Sequence, residues 1–138
     1  MLTMTQTTTT QKRIAFLATG DELVNGDILN TNGQKMAAYC FDQGMEIGLH
    51  IVVSDQHTDI EKAIQYLLSS HDALIITGGL GPTSDDRTRF ALASALTRDL
   101  IFDDASWQRI QALFERYHIQ RQPESNKNQA LFPEGSIV

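Results

Sequence analysis

A short apolar run that ends in a glycine-rich turn constrains the fold of this chain more than any other feature. Residues 73–77 read Ala-Leu-Ile-Ile-Thr, and the turn Gly78-Gly79-Leu80-Gly81-Pro82-Thr83 follows at once. A run this short that stops at glycine favours a buried β-strand over a helix. Its apolar character is typical of a central parallel strand covered on both faces. The sequence therefore predicts a strand that feeds the turn, followed by a helix over Thr88–Leu96.

The rest of the chain alternates between the same two kinds of element. A first apolar run, Ile14–Ala18, stops before Gly20, and the alternation of Ile47, Leu49, Ile51 and Val53 predicts a second strand. The apolar residues at helical spacing, which we expect in the core, are Met36, Ala37, Cys40 and Phe41, then Ile60, Ile64, Leu67 and Leu68, and finally Trp107, Ile110, Leu113, Phe114 and Tyr117. Strands and helices in alternation predict an α/β fold with a mostly parallel sheet and helices on both faces.

The ends of two helices have recognisable capping patterns. Thr31 or Asn32 is expected to cap the first helix, which ends at Gly44. Thr58 is expected to cap the second, with the Glu61 side chain reaching back to form a capping box.

Length and composition fit one domain without a membrane segment. Of 138 residues, 1–12 are expected to form a disordered tail and 13–138 a single domain. The formal net charge of -6 and only 11 Lys and Arg argue against nucleic-acid binding. The single cysteine, Cys40, suits a reducing compartment, so a soluble cytoplasmic protein is expected.

The glycine turn has the chemistry of a phosphate-binding loop. Gly78, Gly79 and Gly81 lack Cβ atoms, so the chain can turn sharply and bring backbone N–H groups close to a phosphate oxygen. The turn is neither a Walker A loop nor a dinucleotide-binding GxGxxG, because the required residues are absent at the required spacing. A purely structural turn is the alternative.

Five acids follow the three predicted strands. Since the carboxyl ends of parallel strands share one edge of the sheet, these acids are expected to meet there, and they are Asp21, Glu22, Asp55, Asp85 and Asp86. Their mutual repulsion points to a bound metal ion. The alternatives are a helix-dipole role for Asp85 and Asp86 and a turn or cap role for Asp55. Asn30-Thr31-Asn32 reads as a cap that could also bind a ligand. The four histidines show no metal-ligand pairing.

The string from Thr77 to Thr88, TGGLGPTSDDRT, resembles the signature of CinA-type competence/damage-inducible proteins. Their N-terminal domain is similar to the molybdopterin-binding MoaB/MogA fold. Further segments that resemble the family are Gly20-Asp21-Glu22-Leu23 with Gly26, Asn30-Thr31-Asn32, Val53-Ser54-Asp55, Asn128-Gln129-Ala130 and Pro133-Glu134-Gly135. The family next places an Asn-x-x-Gly-Thr-Ala-Pro-Gly segment, so a truncated C-terminal strand and loop are expected here.

The resemblance implies a three-layer α/β/α domain whose ligand lies over the glycine turn. In molybdopterin-handling relatives, acids that match Asp55 and Asp86 take part in adenylyl transfer. In CinA-type proteins the domain is associated with metal-dependent hydrolysis of ADP-ribose, so a divalent ion is expected, with Mg²⁺ favoured. Relatives form homodimers or homotrimers. The predicted catalytic residues are therefore Asp55 and Asp86, and the predicted metal ligands Asp85 and Asp86.

We expect a small phosphorylated ligand. It is either ADP-ribose or a related nucleotide, which the protein would hydrolyse, or, alternatively, molybdopterin. The predicted phosphate- and ligand-binding residues are Gly20, Asp21, Glu22, Asn32, Thr77, Gly78, Gly79, Leu80, Gly81, Pro82, Thr83 and Thr88.

Overall fold

The centre of the protein is a three-stranded parallel sheet in the order β2-β1-β3. The structure is a computed structural model that describes residues 12–119 and 123–138. The strands are β1 (Arg13–Thr19), β2 (Glu46–Val53) and β3 (Ala73–Thr77). All three point the same way, so the loops after β1 and β3, where the site is expected, leave from one edge of the sheet.

Five helices and a second, two-stranded antiparallel sheet surround this centre. The helices are α1 (Asp21–Val24), α2 (Thr31–Asp42), α3 (His57–Leu68), α4 (Thr88–Leu96) and α5 (Asp104–Arg116), followed by a 3-10 helix (Glu124–Ala130). The second sheet pairs β4 (Leu100–Phe102) with β5 (Leu131–Pro133). Periodicity did not predict α1, β4, β5 or the 3-10 helix, because segments this short contain too few repeats of either period.

Burial of β1 on both faces places helices on both sides of the sheet. On one face, Ala15 and Leu17 belong to a core cluster with α3 and α4. On the other face, the Phe16 ring meets the His50 ring edge-on, with 4.5 Å between centroids, and Cys40 of α2 is buried as predicted. The α/β fold with a mostly parallel sheet is confirmed.

The segment Asn30-Thr31-Asn32 does cap α2, but the capping residue is neither Thr31 nor Asn32, and the predicted cap of α3 is wrong. Asn30 caps α2, and its Oδ1 accepts a 2.9 Å hydrogen bond from the Gly33 N–H. Gln56 precedes α3 and makes no side-chain capping bond, while Glu61 accepts a bond from Gln65 instead of reaching back. Each helix starts one or more residues earlier than the capping pattern indicated, since a short polar stretch offers several residues that could serve as the cap.

Some predictions about the core are also wrong. Phe41 is 81% exposed and Tyr117 is 66% exposed, and Leu68 and Leu113 are exposed too, although all four fit the helical spacing of core residues. Helical spacing identifies a face of a helix but does not say how far the sheet covers that face. The predicted central position of the strand Ala73–Thr77 is wrong, because within residues 12–119 and 123–138 β3 lies at an edge of the sheet and β1 at its centre. An apolar run therefore indicates that helices cover the strand, but it does not indicate whether the strand is central or at an edge of the sheet.

The predicted disordered tail lies outside the described residues, apart from Lys12. No helix within the described ranges has the length and apolarity needed to cross a membrane.

Candidate functional site

Gly78 packs directly against the end of β1. A Cβ atom at this position would lie 2.1 Å from the backbone oxygen of Thr19, and the φ angle of Gly78 is 93°. Both the steric clash and the positive φ exclude any other residue without a local shift of the backbone. The glycine thus lets the loop after β3 meet the loop after β1.

A buried pair of hydroxyl groups fixes the base of the turn. The Thr19 and Thr88 Oγ1 atoms are 3.0 Å apart, and Thr88 is 1% exposed. The Thr88 N–H also donates a 3.1 Å hydrogen bond to the Gly79 oxygen. A Cβ atom on Gly79 would lie 2.5 Å from the Thr88 hydroxyl oxygen. These contacts tie β1, the turn and the start of α4 together.

Asp86 closes the second half of the turn. Its Oδ2 atom accepts hydrogen bonds from the Thr83 N–H at 2.8 Å and from the Thr83 hydroxyl at 2.5 Å. Burial alone would raise the pKa of Asp86, but the bonds from Thr83 and Gly81 and the charge of Arg89 lower it overall. The ionised carboxylate therefore holds the turn in shape, and a catalytic or metal-binding role for Asp86 stays a prediction.

The lowered pKa of Asp86 makes part of the stability depend on pH. Because the pKa is lower in the folded than in the unfolded state, the ionised group stabilises the protein above the unfolded value of 3.8. That contribution disappears as the pH falls through the folded value. We expect Asp86→Asn to lower the free energy of unfolding by about 1 kcal/mol at pH 7, a small loss because Asp86 is partly exposed and solvent weakens its interactions. Below the folded pKa the substitution should have almost no effect on that free energy. Urea unfolding at a series of pH values measures the difference, and a pH-independent difference would contradict it.

Arg89, which the sequence analysis did not single out, lies buried behind the turn. It is 7% exposed, and its two terminal nitrogens donate to the backbone oxygens of Leu80 and Asn128. Burial lowers the pKa of Arg89, and the charge of Asp86 opposes this shift. The sequence did contain one signal for a role of Arg89. The helix dipole disfavours a cation in the first turn of a helix, so an arginine at this position needs another interaction to stabilise it.

The loops after β1 and β2 are joined by two reciprocal hydrogen bonds. The Asp21 N–H donates to the Asp55 carboxylate at 3.1 Å, and the Asp55 N–H donates to the Asp21 carboxylate at 3.0 Å. Burial raises the pKa of Asp55, the bond from Asp21 lowers it, and the charges of Asp21, Glu22 and Asp85 raise it further. The acids predicted to meet at this edge therefore do influence one another.

A pocket of about 150 Å³ opens between the loops after β1 and β3. Its lining residues are Thr19, Glu22, Leu23, Ile28, Leu29, Asn30, Thr31, Asn32, Thr77 and Gly78. The structure thus brings together four predicted ligand-binding residues, Glu22, Asn32, Thr77 and Gly78.

Other predicted ligand-binding residues lie elsewhere around the turn. Leu80 and Thr88 line a separate apolar groove between β3 and α4. Thr83 and Asp85 are exposed, in the half of the turn that Asp86 closes. Pro82, Gly81 and Gly79 form the turn itself, while Gly20 and Asp21 start the loop after β1. Ligand contacts by these residues stay predictions.

The carboxylates do not form a ready-made metal cage. Among the residues the structure describes, no three His, Cys, Asp or Glu side chains are close enough to hold a metal ion together. Mg²⁺, however, is commonly bound through one or two carboxylates plus the phosphates of a ligand. A metal-binding role for Asp85 and Asp86 therefore stays a prediction.

Comparison with known proteins gives a consistent result. Residues 15–134 match the family described as "Probable molybdopterin binding domain". The chain is 41% identical over 121 residues to a CinA-like protein of Geobacter sulfurreducens, covering 88% of this chain and 29% of that protein. It is 40% identical over 124 residues to a CinA-like protein of Syntrophus aciditrophicus, covering 90% and 29%. The chain therefore spans less than a third of the length of these curated relatives.

Solved structures agree on the fold. The crystal structure of the protein CinA from Thermoplasma acidophilum, described as of unknown function, superposes with a TM-score of 0.79 at 25% identity. That match covers 89% of this chain and 71% of the other. The molybdopterin biosynthesis enzyme MoaB from Thermus thermophilus superposes with a TM-score of 0.59 at 17% identity, covering 87% and 72%, which shows the shared fold alone.

Proposed function

The chain belongs to the family described as "Probable molybdopterin binding domain", and from this we propose that its glycine turn binds the phosphate group of a nucleotide or a pterin. One observation carries the proposal. Among residues 12–119 and 123–138, no hydrogen bond is donated by the N–H groups of Gly79 and Leu80. Free backbone N–H groups in a turn whose glycines leave no room for a Cβ atom can bind an anion. The adjoining pocket of about 150 Å³ has room for a phosphate group and part of a larger ligand.

The reaction we propose is hydrolysis of the pyrophosphate bond of ADP-ribose or a related nucleotide, as the resemblance to CinA-type proteins implies. Water would attack one phosphorus atom while the bridging P–O bond breaks, which yields AMP and ribose 5-phosphate. In this proposal Asp55 accepts the proton of that water. One of its carboxylate oxygens is held by the Asp21 N–H, the other has no partner among the described residues, and burial raises the pKa of Asp55 above its usual value.

Mg²⁺ would be held by the ligand phosphates together with Asp85, and when bound it would neutralise charge on the phosphates. The chain's own contribution is to orient the phosphate on the turn and to keep a carboxylate beside it. Asp86 supports this site by fixing Thr83 and Gly81.

Molybdopterin binding, with or without adenylyl transfer, is the second candidate. The family match over residues 15–134 favours it directly. The phosphate of the pterin would occupy the same turn, and no hydrolysis would follow.

Two incubations of the full chain separate the candidates. In the first, the protein is mixed with ADP-ribose and Mg²⁺, and AMP is measured by chromatography. In the second, it is mixed with molybdopterin, and retained pterin is measured by fluorescence after desalting. Release of AMP supports hydrolysis, whereas retained pterin without AMP supports the second candidate. If neither ligand binds, the phosphate-site proposal is wrong.

Asp55→Asn tests the catalytic assignment and has a second readout. The amide can still accept the bond from the Asp21 N–H but cannot accept a proton, so we expect AMP release to fall by about 100-fold or more. The pKa of Asp55 is higher in the folded than in the unfolded state, so ionisation of this group opposes folding. The stability that the protonated group contributes is present below pH 3.8 and is lost as the pH rises through the folded pKa. At pH 7 the variant should therefore be more stable, by about 0.5 kcal/mol for a partly exposed group.

Asp104→Asn is the matched control, since Asp104 is an exposed acid in the first turn of α5. It should leave AMP release unchanged. An Asp55→Asn protein that keeps full activity would remove Asp55 from the mechanism.

A further inference from the structure

A second groove lies between the start of α3, the end of α4 and β4, apart from the pocket beside the glycine turn. Its volume is about 540 Å³, against about 150 Å³ for that pocket. A lining that combines apolar side chains with a few polar groups is typical of a small-molecule site. The lining residues are the apolar Phe90, Ala93 and Leu100 and the polar or charged His57, Ser94, Thr97, Arg98 and Asp99.

Arg98 and Asp99 bring opposite charges to this groove without forming ion pairs. In the described part of the chain, no carboxylate lies within 4.0 Å of the Arg98 guanidinium and no cationic nitrogen lies within 4.0 Å of the Asp99 carboxylate. Arg98 is nevertheless held in place, because one terminal nitrogen donates a 2.6 Å hydrogen bond to the Glu134 oxygen. A Cβ atom on Gly135 would lie 2.5 Å from that nitrogen, so the glycine makes room for the guanidinium. The other guanidinium donors stay available for a ligand.

The two hydroxyl residues of the groove are positioned by the ends of the helices. The His57 Nε2 atom lies 3.2 Å from the Ser94 hydroxyl oxygen, which fixes Ser94 against the start of α3. Thr97 has a φ of 52° and a ψ of 49°, a left-handed conformation that β-branched residues rarely adopt. Glycine or asparagine is the ordinary residue at such a helix end. A strained residue of this kind is typical of a functional site, where its side chain has a use.

We propose that this groove binds a free α-amino acid with an apolar side chain. Arg98 holds the carboxylate, Asp99 holds the ammonium group, and the apolar lining receives the side chain. A simple anion would meet the like charge of Asp99, and a simple cation would meet that of Arg98. Because Arg98 and Asp99 are consecutive, their Cα atoms are about 3.8 Å apart, which favours a ligand whose two charges are carried on one carbon atom. The proposal does not rest on phosphate binding at the glycine turn.

Calorimetric titration of the full chain with L-phenylalanine over a millimolar range tests the site. Two analogues each lack one charged group: 3-phenylpropionate has no ammonium group, and 2-phenylethylamine has no carboxylate. L-phenylalanine should bind, and each analogue should bind at least about tenfold more weakly, because a charged hydrogen bond is lost. If L-phenylalanine does not bind, or if 3-phenylpropionate binds equally well as it would at a simple anion site, the proposal is wrong.

Two charge-removing variants assign the contacts. Asp99→Asn should weaken L-phenylalanine at least about tenfold but should not weaken 3-phenylpropionate, which has no ammonium group to lose. Arg98→Gln should weaken L-phenylalanine similarly but should not weaken 2-phenylethylamine. A variant that merely disturbed the fold would weaken all three ligands. Asp104→Asn, which changes an exposed acid on α5, should leave all three unchanged. Full affinity for L-phenylalanine in Asp99→Asn or Arg98→Gln would overturn the proposal.

Thr97→Gly separates binding from stability. Glycine adopts the left-handed conformation without strain, so the melting temperature of this variant should rise. Loss of the threonine side chain from the groove should at the same time weaken L-phenylalanine binding several-fold. Opposite changes in the two measurements support a binding role for this strained residue. A variant that gains stability and keeps its full affinity would contradict the proposed site.

Discussion

Gly78→Ala is expected to lower the free energy of unfolding by about 3 kcal/mol, which combines a positive-φ penalty with a steric clash. The added methyl group would lie 2.1 Å from the backbone oxygen of Thr19, so the end of β1 or the turn has to move. Movement of either also displaces the free N–H groups of Gly79 and Leu80. Phosphate-ligand binding should therefore be lost together with stability. Urea unfolding followed by circular dichroism measures the first effect, and calorimetric titration the second.

Gly44→Ala is the matched control for this variant. Gly44 also has a positive φ angle, 71°, but a Cβ atom there would meet nothing within 4 Å. It should lose only about 1 kcal/mol, the cost of the φ angle alone. Equal losses at the two positions would show that the contact between Gly78 and Thr19 does not restrain the turn.

Arg89→Met is expected to cost about 3 kcal/mol of unfolding free energy, because it leaves two backbone oxygens without their buried donor. Methionine keeps much of the aliphatic volume, so the loss reports the guanidinium group and not a cavity. The Leu80 and Asn128 oxygens would lose the partner that links the turn to the 3-10 helix. Ligand affinity should fall as well, since Leu80 supplies one of the free N–H groups.

Arg87→Met provides the comparison two residues earlier. Within residues 12–119 and 123–138, the Arg87 side chain donates a single exposed bond, from its Nε to the Ser84 oxygen at 3.2 Å. It should cost less than about 0.5 kcal/mol, as a surface substitution does. If Arg87→Met and Arg89→Met proved equally mild, Arg89 would be a buried residue without a role in the turn.

The sequence predicted those parts of the fold that depend on local signals. The bounds of β3 and α4 agree with the structure because a glycine ends the strand and a clear apolar pattern marks the helix. Parallel topology then placed Asp21, Asp55 and Asp85 at one edge without any knowledge of contacts. The exposure of Phe41 could not be predicted, since it depends on which side of α2 meets the sheet.

The internal support of the site was equally hidden from sequence reasoning. Arg89 holds the turn through backbone oxygens. Every residue has a backbone oxygen, so the sequence does not show which of them accepts a hydrogen bond. The exchange of hydrogen bonds between Asp21 and Asp55 likewise depends on how two loops, separated by α2 and β2, meet. Such contacts are consequences of the assembled fold and carry no local pattern.

The hydroxyl contact between Thr19 and Thr88 couples ligand binding to folding of the sheet. The two residues are 69 positions apart, so the base of the turn exists only after the intervening chain has closed into a loop. A ligand that requires this turn has no affinity for the unfolded chain. At a free concentration about 100 times its dissociation constant it would add about 2.7 kcal/mol to the stability of the native state. A ligand bound at the turn would therefore slow the degradation of the protein, because proteases cleave its unfolded form.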